Sequence, residues 1–288
     1  MAPNRPDRSE QKEPLTISEM KACKTSFSFG ENWQSFLSTV TAESLEHARK
    51  DIEQWLGPDA VKGKTVLDVG CGSGIHSLSF HLLEAREVIS FDLDPKSVAA
   101  TRSLWEKAGK PASWTIMQGS ILDQEFLNQF HGKTYDLVYS WGCLHHTGAM
   151  WEGIDNSCRM VKRGGWYWIS LYAKGEGRNY ARDLALKQKY NASSKVGKKL
   201  MEARSIVKLM RSRYRKGQNP FGWNERIERG MTIYHDIVDW LGGLPYEVAS
   251  VEEVTAYLEK KGFTSLRIKE VSEGGCSIYL FSSTGGPF

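Results

Sequence analysis

The sequence predicts an α/β protein with a doubly wound, mostly parallel sheet of seven strands, and three observations support this prediction. At 288 residues the chain is long enough for one large core and an accessory element. Its composition, 40% apolar and 25% charged, excludes a collagen-like, coiled-coil or wholly disordered chain. Short β-rich runs alternate with helical stretches, and strands separated by helices imply parallel pairing with helices on both faces of the sheet.

The elements can be placed in order along the chain. Apolar residues recur at helical spacing from Glu43 until Gly57 and Pro58 stop the pattern, which predicts one amphipathic helix ahead of the core. Five β-rich runs follow, at residues 65–69, 87–91, 113–118, 135–140 and 166–171. After a basic helical stretch, the pattern predicts a last helix at residues 251–261 and two strands at 264–271 and 276–281.

Charge is uneven along the chain. The net charge is only +4, so composition alone does not indicate a general binder of polyanions. Residues 174–217, however, carry fourteen Lys and Arg against three acids. Three interpretations stay open for this stretch: a solvated helical face, a surface for an anionic substrate or a membrane, and a contact for RNA.

The distribution of apolar residues and cysteines indicates the cellular location of the protein and whether it holds disulfides or a metal ion. No window has the roughly 18 to 20 apolar residues of a membrane span, and the N-terminal stretch has no apolar centre, so we expect a cytoplasmic protein. The five cysteines are scattered and form no C-x-x-C pair, which argues against a disulfide scaffold and a zinc site. We expect reduced thiols and no metal.

The most informative segment is a glycine loop that follows the first strand directly. It reads Asp68-x-Gly70-x-Gly72-x-Gly74, and glycines at such a turn let a ligand lie against the backbone at the C-terminal edge of the sheet. The NAD fingerprint needs a third glycine where this chain has Ile75 or Ser77, depending on the starting glycine. A buried carboxylate would repel a pyrophosphate but suits a sulfonium cation, which favours S-adenosylmethionine.

Polar and aromatic residues follow the next three strands at the same sheet edge. Asp92 ends the second strand, where a carboxylate can accept both hydroxyl protons of a ribose. Ser120, after the third strand, offers a contact for an adenine edge. The fourth strand ends in Ser140 and Trp141, and the histidine pair His145–His146 follows close behind. One of these histidines can serve as a general base near neutral pH.

On these motifs, over about residues 62–172, the chain resembles the class I S-adenosylmethionine-dependent methyltransferases of the small-molecule type, which act on quinones, sugars and natural products. The closing strands from about residue 264 resemble the family's final antiparallel pair, and the run 162–165 resembles its turn before the fifth strand. The resemblance implies the Rossmann-like methyltransferase fold, with an α-helical lid inserted between strands 5 and 6.

The resemblance also implies which residues hold S-adenosylmethionine. The expected contacts to its methionine portion are Asp68, Gly70, Cys71, Gly72 and Gly74. Those to the ribose are Asp92 and Leu93, and those to the adenine are Ser120 and Ile121. Many members carry Asp where this chain has Ser120. Ser140, Trp141 and Trp33 complete the expected cofactor site, with Trp33 on an arm, residues 27–33, that resembles the N-terminal lid of small-molecule members.

Together these features predict five segments. They are a disordered arm at 1–17, an N-terminal helical lid at 18–61, a cofactor-binding core at 62–173, a basic helical insertion and substrate lid at 174–246, and a completion of the core at 247–288. Within the insertion, residues 231–246 place His235 and Asp236 where they can contact an acceptor. His235 is therefore a third catalytic candidate beside His145 and His146.

Missing motifs narrow the predicted acceptor. The fourth strand is not followed by Asn-Pro-Pro-Tyr, Cys143 lacks the preceding proline of cytosine-C5 enzymes, and no glutamate pair of protein-arginine enzymes occurs. We therefore expect in-line methyl transfer to an O, N or C nucleophile of a small molecule, including an anionic one, with nucleic acid disfavoured. Two alternatives stay open: an RNA methyltransferase that uses residues 174–217, and a non-catalytic cofactor-binding partner subunit.

Overall fold

The structure, a computed structural model, describes residues 29–37, 40–174, 179–221, 232–271 and 275–285. The predicted arm at residues 1–17 lies outside the described residues, as do residues 18–28 of the predicted N-terminal lid. The strands of the described chain are β1 Thr65–Val69, β2 Glu87–Asp92, β3 Trp114–Gln118, β4 Tyr135–Trp141, β5 Val161–Tyr172, β6 Phe263–Lys269 and β7 Cys276–Ser283.

Helices occupy most of the remaining described chain. They are α1 Phe29–Leu37, α2 Ala42–Leu56, α3 Ile75–Leu82, α4 Pro95–Lys107, α5 Gln124–Leu127, α6 Met150–Cys158, α7 Tyr180–Ala192, α8 Lys195–Arg215, α9 Ile233–Gly242 and α10 Val251–Glu259. Two 3₁₀ turns lie at Asn128–Phe130 and Leu144–His146. None of the helices in these described ranges is long and apolar enough to cross a membrane.

The strands form one seven-stranded sheet in the order β3-β2-β1-β4-β5-β7-β6. The neighbours β3, β2, β1, β4 and β5 pair in parallel, whereas β7 is antiparallel to both β5 and β6. Strand order reverses between β1 and β4, so the C-terminal ends of these two strands flank the crevice where open α/β sheets bind ligands. The predicted fold class, a doubly wound and mostly parallel sheet, is confirmed.

Two apolar clusters cover the two faces of the sheet. On one face, Ile154 of α6 and Leu258 of α10 pack with β-strand residues such as Tyr167. On the other face, Ile52 of α2, Phe80 of α3 and several strand residues form the second cluster. Because both faces are covered, the central strands are almost continuously apolar, and ligands have access only at the edge of the sheet.

Strand β5 differs from the prediction. It begins at Val161, so the run 162–165 lies inside the strand and not in a turn before it. Three residues of β4, from Tyr135 to Leu137, stand opposite six of β5, from Val161 to Trp166, and Gly164 has a φ of 72°. The paired glycines allow this bulge, which a short β-rich run in the sequence does not reveal.

The helices α7, α8 and α9 lie between β5 and β6, where the sequence predicts a helical insertion. The insertion is held together by the buried carboxylate of Glu202 on α8. It accepts hydrogen bonds from Tyr190 on α7 at 2.8 Å, from Tyr234 on α9 at 2.7 Å, and from Lys199 at 2.8 Å. These charge-assisted bonds fix the three helices relative to one another.

Candidate cofactor and acceptor site

The glycine loop connects β1 to α3, and its conformation leaves no room for side chains at Gly70 and Gly72. Gly70 has a φ of 76° and Gly72 a φ of 54°. A Cβ at Gly70 would overlap the Sγ of Cys143, and a Cβ at Gly72 would lie 2.9 Å from the Nε1 of Trp33. The loop is anchored to β2, because the amides of Gly70 and Cys71 donate to the carbonyl oxygen of Phe91 at 2.9 and 3.1 Å.

Asp68 lies beneath this loop, buried at the end of β1. Its Oδ2 accepts a hydrogen bond from Ser77 Oγ, Ser77 Oγ accepts one from Ser90 Oγ at 2.9 Å, and Ser90 Oγ accepts one from Trp114 Nε1 at 2.9 Å. This relay crosses from β1 to β3 and fixes the orientation of the carboxylate. The carboxyl group of Asp68 is thus held directly under the glycine loop.

Asp92 joins the glycine loop to the turn that follows β2. Its Oδ2 accepts from the amide of Gly72 at 2.9 Å, and its Oδ1 accepts from the amide of Asp94 at 2.9 Å. Burial raises the pKa of Asp92 to about 6, although these backbone hydrogen bonds oppose that shift. Each carboxylate oxygen keeps a further lone pair for a ligand hydroxyl. Leu93, the next residue, is exposed.

The third-strand candidates lie at the same edge of the sheet. The amide of Gly119 donates to the carbonyl oxygen of Asp92 at 3.0 Å, which brings the end of β3 beside the end of β2. Ser120 is half-buried, and its Oγ accepts from the amide of Leu122 at 3.1 Å. The side chain of Ile121 packs in the core. The predicted contact of Ile121 with a ligand therefore does not come from its side chain.

A single cavity brings several of the predicted cofactor residues together. Its lining is Trp33, Asp68, Gly70, Cys71, Gly72, Ser73, Ile75, His76, Tyr139 and Trp141. The ring of His76 is nearly parallel to those of Tyr139 and Trp141, at centroid distances of 5.2 and 6.4 Å. Ser140 is buried outside this lining, and its Oγ donates to the carbonyl oxygen of Val69 at 2.9 Å. Ser140 thus joins β4 to β1 just before the glycine loop.

Helix α1 covers the glycine loop and joins it to the insertion. The amide of Gly30 donates to Oδ2 of Asp94 at 2.8 Å, while Oδ1 of Asp94 caps α4 by accepting from the amide of Lys96. On the other side of α1, Asn32 donates to Oδ1 of Asp239 on α9 at 2.7 Å. A Cβ at Gly30 would overlap Lys96, so only glycine allows this close approach.

The two histidines after β4 have different surroundings. His145 is buried, and its Nδ1 accepts from the amide of Tyr172 at 3.2 Å. The Nδ1 of His146 lies 2.6 Å from the carbonyl oxygen of Pro245, which assigns the proton to Nδ1 and leaves Nε2 as the proton acceptor. Burial lowers the pKa of both rings, to about 3 for His146. Both are therefore neutral at physiological pH.

His235, the third catalytic candidate, lies between α9 and α1. Its Nδ1 is 2.6 Å from Oγ1 of Thr232, and its Nε2 is 3.4 Å from Oγ of Ser35. Both ring nitrogens thus have partners within the protein. The lining of the cavity at the glycine loop includes neither His235 nor the other two catalytic candidates, His145 and His146. The neighbouring Asp236 is exposed.

Two residues near the histidines were not predicted from the sequence. Lys187 of α7 is fully buried, donates to the carbonyl oxygen of Trp240, and lies 4.7 to 5.1 Å from the ring centroids of Tyr246, Trp240 and Tyr172. Glu247 accepts from the amide of Met150 and so caps α6. A lysine within a basic run gives no sign in the sequence that it is buried. The sequence also gives no sign that Glu247 caps a helix that lies far from it along the chain.

The chain's similarity to known proteins agrees with this geometry. A family model described as "Methyltransferase domain" matches residues 66–165. A ribosomal protein L11 methyltransferase of Acinetobacter baumannii (strain SDF) is 42% identical over 76 residues, which are 26% of this chain and 25% of that protein. The chain therefore spans about a quarter of that relative's length.

Solved structures are similar over a much larger part of the chain. Magnesium protoporphyrin IX methyltransferase of Synechocystis PCC 6803, solved with bound SAH, is 16% identical with a TM-score of 0.52, covering 88% of this chain and 93% of that one. A structure described as a sarcosine dimethylglycine methyltransferase of Galdieria sulphuraria is 12% identical with a TM-score of 0.52, covering 82% and 84%.

At these identities the structural likeness concerns the fold, and the family match concerns the segment that contains the glycine loop and Asp92. No group of His, Cys, Asp or Glu within the described residues could hold a metal ion. Residues 66–165 are a methyltransferase domain, and the chain has the fold of the class I S-adenosylmethionine-dependent methyltransferases, whose cofactor is S-adenosylmethionine.

Proposed function

We propose that this protein transfers the methyl group of S-adenosylmethionine to an O, N or C nucleophile of a small-molecule acceptor. One observation carries the proposal. Asp92 accepts a hydrogen bond from the amide of Gly72, the glycine that lies against Trp33 without a side chain, and Asp68 lies buried beneath the loop. Two carboxylates around such a turn match a ligand with one cationic sulfonium and one ribose.

The proposed donor contacts follow from the positions of these groups. Asp92 accepts the ribose hydroxyls with the lone pairs that its backbone partners leave open. Leu93, exposed beside it, and the backbone at Ser120 and Ile121 face the adenine. The glycine loop holds the methionine portion, and Trp33 and Trp141 present aromatic faces that attract a sulfonium by about 0.5 to 2 kcal/mol.

Positioning supplies most of the proposed catalysis. S-adenosylmethionine brings a methyl group that its sulfonium already activates, so the protein's main task is to align the acceptor in line with it. Such alignment contributes up to roughly 7 to 11 kcal/mol. Helix α1 is suited to this task because it is hydrogen-bonded to Asp94 on the core and to Asp239 on the insertion, and so closes the site from both sides.

His146 is the proposed general base for an acceptor that needs deprotonation. The carbonyl oxygen of Pro245 holds the proton on Nδ1, and Nε2 accepts. The low pKa of His146 keeps the ring neutral but also makes it a weak base, so the proposal requires that a bound acceptor raises this pKa toward neutrality. His145 is proposed to support it, since its Nδ1 is already engaged by the amide of Tyr172 and the two rings lie 4.3 Å apart.

The small-molecule acceptor is favoured by the enclosure of the site. Helix α1 lies over the glycine loop, and Phe29 at its start approaches the ring of His146 to 4.9 Å. A cover this close leaves little room for a folded macromolecule. The names of the two structural neighbours, a magnesium protoporphyrin IX methyltransferase and a sarcosine dimethylglycine methyltransferase, agree with this proposal. The L11 relative acts on a protein, but it matches over only a quarter of its length.

The acceptor class is tested with donor that carries a tritiated methyl group. The full-length protein is incubated with this donor and a cell extract separated into low-molecular-weight, protein and RNA fractions. Protein-dependent label in the low-molecular-weight fraction supports the proposal. Label confined to the protein or RNA fraction would contradict it. Gly72→Val, which places a side chain against Trp33, is the inactive control.

A further inference from the structure

Helix α8 is strongly basic. Its 21 residues include eight basic residues, Lys195, Lys198, Lys199, Arg204, Lys208, Arg211, Arg213 and Arg215. The one acid of the helix, Glu202, is buried against α7 and α9 by its hydrogen bonds to Tyr190 and Tyr234. No acidic side chain of α8 therefore faces solvent.

A stripe of apolar side chains runs along the outer, solvent-exposed face of α8. Val196, Leu200, Val207 and Tyr214 are 70%, 67%, 45% and 76% exposed. At ~100° per residue these four positions lie within about 40° of one another, along a helix about 30 Å long. We call them the apolar stripe. Exposed apolar residues are ordinary singly, but four on one line of a helix mark an interaction surface.

Basic residues border the apolar stripe closely. On the same helical wheel Arg204, Lys208 and Arg215 lie ~80 to 120° from Val196, on one side of the stripe. Lys199 lies ~60° away on the other side, but its ammonium group is bound to Glu202. The long side chains of Arg204, Lys208 and Arg215 can place their charges beside whatever the stripe contacts. The hydrogen bonds of Glu202 keep the opposite face of the helix on the protein, so the outer face is presented as a fixed surface.

We propose that the outer face of α8 docks on the surface of an anionic lipid bilayer. Aliphatic side chains gain by leaving water for the boundary between head groups and acyl chains, whereas an RNA backbone offers them no such gain. The basic borders meet the anionic head groups, each near-surface Lys or Arg adding about five-fold to the affinity. The helix lies in the plane of the surface, because its eight charges oppose insertion across the bilayer.

Vesicle co-sedimentation of the full-length protein tests the proposal. Vesicles of phosphatidylcholine with roughly 30 mol% phosphatidylserine should bind the protein, and pure phosphatidylcholine should bind it at least tenfold more weakly. The double variant Leu200→Ser, Val207→Ser keeps every charge and should weaken binding at least tenfold. Leu266→Ser, a change at a leucine that is 53% exposed on β6, is the matched control and should bind like the wild type.

A second pair of variants tests the charges. Arg204→Gln with Lys208→Gln should weaken vesicle binding about 25-fold, whereas Lys107→Gln with Lys260→Gln, at exposed lysines outside α8, should leave it unchanged. Calorimetric affinity for S-adenosylhomocysteine should be equal in all variants, which separates this proposal from the proposed function. Equal binding to both vesicle types would overturn the proposal. So would charge-dependent RNA binding without vesicle binding, or loss of vesicle binding in Leu266→Ser.

Discussion

Replacing Asp92 with asparagine should weaken binding of the cofactor roughly ten- to hundred-fold. Both carboxylate oxygens already accept a backbone amide, from Gly72 and from Asp94. The amide group of asparagine has one oxygen and one NH₂, so it can satisfy only one of these two donors and turns a donor toward the other. Loss of the charge also weakens the ribose contact, and a charge-assisted hydrogen bond contributes about 1.5 to 3 kcal/mol.

The assay is isothermal titration calorimetry with S-adenosylhomocysteine at pH 8, where Asp92 of the wild type is ionised because its pKa is about 6. Asp59→Asn is the matched control, since Asp59 is an exposed residue with a φ of 57°, a conformation that asparagine adopts readily. An Asp92→Asn variant that binds within two-fold of the wild type, with the control also unchanged, would refute the assignment of Asp92 to the ribose.

Three further predictions address pH, the cover over the site and the base. The ligand favours the ionised form of Asp92. The dissociation constant of the wild type should therefore be constant above pH 6 and rise about tenfold per pH unit below it. A dissociation constant that stays the same by calorimetry from pH 5 to 8 would contradict this prediction. Gly30→Ala should weaken S-adenosylhomocysteine binding by about five-fold or more without lowering the melting temperature by more than a few degrees, because the added Cβ overlaps Lys96 and lifts α1 from the core. Once an acceptor hydroxyl is identified, His146→Gln should reduce kcat by roughly 10²- to 10⁴-fold with unchanged cofactor affinity, and unchanged turnover from pH 6 to 9 would exclude His146 as the base.

Local sequence patterns were enough to predict most of the fold and to select the candidate cofactor residues around the glycine loop. The strand that runs into Asp68, Gly70, Gly72 and Gly74 is a contiguous signal, and the parallel topology alone brings the end of β2, with Asp92, to the same edge. Such features depend on short-range spacing and on a rule for parallel sheets. They need no knowledge of how distant helices pack.

Features that depend on tertiary packing could not be predicted from local sequence patterns. Lys187 lies in a run of basic residues, and only the packing of α7 against β5, α9 and the segment after α9 encloses its ammonium group among three aromatic rings. His145 and His146 are equivalent in sequence, but one is held by the amide of Tyr172 and the other by the carbonyl oxygen of Pro245, 99 residues away. The bulge in β5 at Gly164 depends on pairing with β4, which the strand's own residues do not specify.

Titration of the full-length protein with S-adenosylmethionine and, separately, with NAD tests the central claim most directly. The arrangement of Asp68 and Asp92 around the glycine loop predicts one bound S-adenosylmethionine per chain and no heat of binding for NAD, since a pyrophosphate would meet the negative charge of Asp68. Binding of NAD, or the absence of binding by S-adenosylmethionine, would contradict the account.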